Sequence, residues 1–130
     1  MAKKQIGNTF LGVQEGLTVI KDHCFAFSGA LTVSDTDAHK LLSFHAGNYY
    51  IVGDFTFWRR SWEDDDIAFY VEMNGTQVLA WIGRQSEPNG ANMGIPMVIP
   101  PNTLVEGYVD KQQQNYDSIV GMNLTGRVYA

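Results

Sequence analysis

Cys24 follows His23 in the stretch Asp22-His23-Cys24-Phe25-Ala26-Phe27, where a thiol and an imidazole stand side by side in the chain. A nucleophile pair would need the imidazole to reach the sulfur, but adjacent residues of a strand point to opposite faces. The thiol therefore reads as a small buried hydrophobe, and a single cysteine excludes an intrachain disulfide. The run Glu63-Asp64-Asp65-Asp66 gathers four carboxylates after Phe57-Trp58-Arg59-Arg60-Ser61-Trp62. Such a run could take calcium or meet a basic partner, yet it lacks the alternating acids and central glycine of a calcium loop. It reads as a solvated loop tip beside Arg59 and Arg60. His23, His39 and His45 have no metal-ligand spacing, and neither a nucleophile elbow nor a phosphate-binding glycine loop is present. Nothing in the spacing singles out a carboxylate pair for glycoside cleavage. No catalytic residue, metal, cofactor or enzymatic activity is expected.

What remains is recognition. Trp58, Trp62, Trp81, Tyr50 and Tyr70 could stack on sugar rings, or fill a core or subunit interface where aromatics and arginine are enriched. The interface reading is preferred. If a glycan or other partner is bound, Trp58, Arg59, Arg60 and Trp62 are the residues of choice, because Trp and Arg are hot-spot types. Residues 1–16 form a Gly-rich polar arm with Lys3 and Lys4; such arms are usually frayed termini, and the alternative is an arm that orders on a neighbouring subunit through Ile6, Phe10 and Leu11 as apolar anchors.

The elements that must position these residues are strands. In Ile67–Ile82 two alternating runs flank Asn74-Gly75, the strongest short hairpin signal. A two-residue loop there pairs Met73 with Thr76, Val71 with Val78, Phe69 with Ala80 and Ile67 with Ile82 on one face. The other face pairs Glu72 with Gln77, Tyr70 with Leu79 and Ala68 with Trp81. Tyr70, Leu79 and Trp81 are large for a solvated surface and are expected to bind a subunit or shell. Upstream, Tyr49, Ile51, Phe55 and Phe57 share a face, and Tyr50, Val52, Asp54, Thr56 and Trp58 share the other. Gly53 within that run predicts a bulge or a close backbone approach. In residues 35–47, Asp35 could cap a helix that Gly47 ends. Leu42 and Phe44 alternate equally well as a strand, and the strand is preferred because every other segment is β.

Further strands are expected at Gly16–Ile20, Cys24–Val33, Leu104–Val109, Asp117–Val120 and Met122–Tyr129. In the last, Met122, Leu124 and Val128 face one way and Asn123, Thr125, Arg127 and Tyr129 the other. Pro100-Pro101 sits between two apolar runs, as fits a rigid corner, since proline cannot donate to a ladder. About eight short strands spaced by turns predict an all-β antiparallel β-sandwich, a jelly roll with an extended N-terminal arm. The domain expected is 17–130, with 1–16 as the arm.

The 130 residues suffice for one core, and 13 glycines with 12% aromatics favour strands and turns. A net charge of −5 disfavours nucleic acid. No apolar stretch follows Lys3-Lys4 as in a secretion signal, and no run approaches the ~20 apolar residues of a membrane span. A soluble protein made in a cytoplasm is expected.

The segments Gly47–Phe55, Phe69–Val78, Pro96–Val109 and Leu124–Tyr129 resemble a family of small jelly-roll proteins of tailed bacteriophages. The resemblance covers about residues 41–130. It implies a virion structural protein, a capsid decoration (cement) protein on the outer capsid surface, typically a homotrimer bound to the major capsid protein. It implies binding through domain ends and arm, hence Lys3, Lys4, Ile6 and Phe10. A receptor- or carbohydrate-binding head of a fibre or spike is the alternative, which the lack of a shaft sequence disfavours.

Overall fold

Asn74 and Gly75 both adopt positive φ, 51° and 83°, the geometry a type I′ turn demands and that Asn and Gly reach at least cost. The structure, a computed structural model, describes residues 4–6, 10–11, 13–14, 16–60, 66–83 and 94–129. Every regular element among them is a strand. In chain order they are β1 (Lys4–Ile6), β2 (Phe10–Leu11), β3 (Val13–Gln14), β4 (Leu17–Ile20), β5 (His23–Phe27), β6 (Leu31–Val33) and β7 (His39–His45). They continue with β8 (Tyr50–Arg59), β9 (Ile67–Met73), β10 (Thr76–Gly83), β11 (Gly94–Ile99), β12 (Leu104–Lys111) and β13 (Ser118–Tyr129).

The Asn74-Gly75 turn is the tip of a nested set of antiparallel pairs. β9 pairs with β10, β8 with β11, β7 with β12 and β5 with β13. Two further pairings, β8 with β13 and β9 with β12, join the set into two sheets. This winding is the jelly roll, a closed-up double hairpin in which the two sheets bury their facing sides. The larger sheet runs β1-β4-β5-β13-β8-β11 with β6 also on β13, and the smaller runs β10-β9-β12-β7. Phe55, Phe57, Ile51, Met122 and Leu124 from the larger sheet meet Phe69, Val71, Leu42, Phe44 and Val105 from the smaller in one buried core. Phe57 and Phe69 stack across the sheets at 5.1 Å.

Two details differ from expectation. The hairpin begins in the predicted register, Met73 opposite Thr76 and Glu72 opposite Gln77, but a bulge at Val78 then shifts it by one. Val71 lies opposite Leu79, Tyr70 opposite Ala80 and Phe69 opposite Trp81. Extra residues in bulges re-aim the side chains beyond them. Leu79 and Trp81 thus turn onto the core, and Trp81 sits 6.0 Å from Phe69. Val78 and Ile82 are exposed instead. Asp117–Val120 and Met122–Tyr129 are not separate strands but one, β13, which pairs with β6 and then β5 along one edge. The segment between those two partners is bridged by Ser28, whose Oγ accepts from Met122 N at 2.8 Å.

Asp35 caps no helix: its carboxylate accepts from Asp37 N at 3.1 Å, an Asx turn leading into β7. Pro100-Pro101 does form the corner, carrying the chain from β11 in the larger sheet to β12 in the smaller. Asn102, at φ 60°, donates its N–H to Gly47 O at 2.7 Å, and Leu104 N donates to Asn74 Oδ1 at 2.9 Å. The corner is thereby tied to two other turns.

Gly53 resolves to a close approach, with no bulge in the β8–β13 ladder. It faces Gly126 across that ladder, and a Cβ on Gly126 would lie 2.6 Å from Gly53 Cα. Gly126→Ala must push the two strands apart and is expected to destabilise the fold by about 1–3 kcal/mol. Urea unfolding followed by tryptophan fluorescence checks this through a lowered midpoint.

Candidate interaction surfaces

Cys24 is buried in β5 while His23 is exposed on the opposite face. Burial pushes the thiol up to about 11, the reverse of what a nucleophile needs. The three histidines have local partners that do not converge: Asp22 at 3.5 Å from His23, Asp35 at 2.6 Å from His39, and Gly47 N, which donates to His45 Nδ1 at 3.0 Å. Among the described residues no three His, Cys, Asp or Glu side chains come together as a metal site. Trp62 and Glu63–Asp65 lie outside the described residues, as does Lys3. Asp66, the last of the acidic run, is held by its backbone to Gln112 and Gln113.

The outward face of the larger sheet is the most apolar exposed surface described. Its register sets Tyr50 beside Tyr129 and Val98, Val52 and Arg127 in one row. Tyr50 and Tyr129 are 51% and 50% exposed, Val52 47% and Val98 58%. Further along, Phe25 and Phe27 stack at 4.7 Å, and Phe27 and Ile20 are also exposed. Arg127 is paired with Asp22 at 3.0 Å. Tyrosines and an arginine amid exposed aliphatics are the composition of an interface centre.

Trp58 belongs to the same face. It lies opposite Gly121, and a Cβ on Gly121 would collide with its indole, so the ring covers the glycine. Arg59 closes β8, and Arg60, exposed, continues the ladder by donating its N–H to Ile119 O at 2.8 Å.

The outward face of the smaller sheet is different. Tyr70 and Tyr108 are cross-strand neighbours whose rings stack at 5.1 Å. Glu72 faces Glu106 in the adjacent row, and Lys40 binds Glu106 at 2.7 Å. Burial, then the carboxylates of Asp110 and Glu72, raise the Tyr70 phenol above its ordinary 10.0. Burial and Glu106 raise Tyr108. Of the three residues expected on this surface, only Tyr70 is there; Leu79 and Trp81 belong to the core side.

The arm residues Lys4 and Ile6 lie in β1, paired with Val19 and Leu17 of the chain's own β4. Phe10 and Leu11 form β2, paired with β3. The sequence reading had the outward sets of β8 and β13 but did not join them. Their period-two alternation was legible; that Tyr50 meets Tyr129, or Trp58 meets Gly121, follows only from the register. Tyr108 was missed for the same reason.

Comparison with protein-family models and with curated proteins finds no match to this chain.

Two outcomes are expected. Cys24 should not react with a disulfide reagent at pH 8 in the folded protein and should react fully in urea. The tyrosine pair makes stability pH-dependent. A phenol whose folded pKa is raised contributes fully below its unfolded pKa and loses that contribution as pH rises through the folded value. Stability should therefore fall above about pH 10, and the fall should be shallower in the Tyr70→Phe, Tyr108→Phe variant.

Proposed function

We propose that this chain is a non-enzymatic virion structural protein, a decoration protein of a tailed-bacteriophage capsid that binds the outer shell and stabilises it. The resemblance of residues 41–130 supplies the role. The observation that carries it is the exposed Tyr50-Tyr129-Val52-Val98 surface on a rigid sheet. A flat face of this composition suits contact with another protein surface, where aromatic anchors supply most of the binding energy. The shell it docks on is the major capsid protein, and the functional unit is a homotrimer. The buried, poorly ionised thiol agrees with a binding role. Docking by a sheet face needs no induced ordering there, since these side chains sit on strands fixed by the core.

The test is co-expression with the capsid protein encoded in the same genome, followed by sedimentation of assembled shells. Wild-type protein should travel with the shells and raise their thermal stability. Tyr129→Asp with Val52→Asp should weaken binding at least tenfold while leaving the unfolding midpoint of the free protein nearly unchanged. Full binding by that variant removes this face from the proposal. Light scattering of the free protein should give a particle of three chain masses.

A further inference from the structure

At the Trp58 end of the larger sheet's outward face the chemistry changes from apolar to mixed. Trp58 covers Gly121. In the next row Thr56 stands opposite Asn123, with Phe27 beyond it. On the other side of Trp58, two residues along the chain, is Arg60. Among the described residues, the side chains of Thr56, Asn123 and Arg60 make no hydrogen bond or ion pair, and all three are accessible to some degree. A cation, an amide and a hydroxyl thus flank one aromatic side chain.

We infer that Trp58, Arg60, Asn123 and Thr56 form a binding site for a carboxylate-bearing sugar residue, of the uronic or sialic acid class. An indole seated over a glycine and still partly exposed offers aromatic surface to the C–H bonds of a pyranose ring, whose partial positive charge the ring quadrupole attracts. The Asn123 amide, with both donors and an acceptor, and the Thr56 hydroxyl match the mixed hydrogen-bonding demand of sugar hydroxyls. Arg60 supplies the charge complement: its planar fork takes a carboxylate in a bidentate pair. The glycine beneath the ring is part of the site, because any side chain at 121 would lift the indole from the sheet. A nucleic acid fits poorly, since one arginine on a chain of net charge −5 gives little phosphate affinity. A purely apolar partner would leave the amide and guanidinium buried without partners.

This inference is independent of shell binding, which uses the tyrosine–valine end of the same face. The test uses an array of sialylated and uronic-acid glycans, with 3′-sialyllactose and trigalacturonate as soluble acidic probes and lactose and neutral galactotriose as controls. Binding is read by calorimetry and by the Trp58 indole N–H resonance. At least one acidic glycan should bind at least tenfold more tightly than its neutral counterpart, and the indole resonance should shift. Arg60→Ala should remove that preference, and Asn123→Ala should weaken binding several-fold; both should leave the fold intact, because neither side chain has a hydrogen bond or ion pair among the described residues. Trp58→Ala should abolish binding, with circular dichroism to confirm folding. No binding by any acidic glycan, equal binding of the neutral controls, or an unaltered preference in Arg60→Ala each overturns the assignment. Shell sedimentation of Arg60→Ala should match wild type.

Discussion

The whole architecture depends on the ladder between β8 and β13, ten consecutive residue pairs from Arg59 with Val120 to Tyr50 with Tyr129. β13 is the last strand of the chain, and it lies in the middle of the larger sheet with β5 and β6 on one side and β8 on the other. Until it is in place, β5 lacks its neighbour and the larger sheet lacks its centre. The ladder can run unbroken past Gly53 and Gly126 because neither has a Cβ to hold the backbones apart. Non-local pairings of this kind make a chain slow to find its fold, and they also make the finished sheet a single rigid unit.

That rigidity is what gives the outer faces their character. The inner faces are filled by phenylalanines and branched aliphatics that interlock across the two sheets. The outer faces therefore inherit fixed rows of side chains, set by register rather than by local sequence. On the larger sheet these rows run from a tyrosine–valine end to a tryptophan–arginine end. On the smaller sheet a tyrosine pair sits among carboxylates, with one lysine partly compensating them. The acidic chain thus presents one largely apolar face and one negative face.

The turns show how far local chemistry reaches. Asn74-Gly75 placed the central hairpin correctly because only those residue types tolerate its dihedrals. Pro100-Pro101 marked a corner because proline cannot continue a ladder. Both signals are local, and both survived. The register beyond Gln77 did not, because nothing in the alternation of Val78, Leu79, Ala80, Trp81 and Ile82 distinguishes a regular strand from a bulged one. The bulge is favoured by the core, which takes Leu79 and Trp81 in place of Val78 and Ile82. The larger aromatic and the leucine bury more apolar area than the residues they replace, so tertiary packing overrode the simplest pairing. The same limitation hides the continuity of β13, in which Gly121 joins the two predicted strands beneath Trp58.

By itself the sequence determined the strand content, the hairpin tip, the corner, the inward sets of β8 and β13, and the poor prospects of Cys24 as a nucleophile. Each of these follows from the dihedral limits of a residue type or from the two-residue period of a strand, which are properties of the chain alone. The tertiary structure decided which strands became neighbours, where the bulge fell and which outward residues share a row. Those are outcomes of long-range pairing and core volume, and no stretch of the chain contains them. The candidate surfaces belong to this second class: Trp58 was visible as a tryptophan, but the glycine beneath it and the asparagine beside its row came from a strand more than sixty positions away.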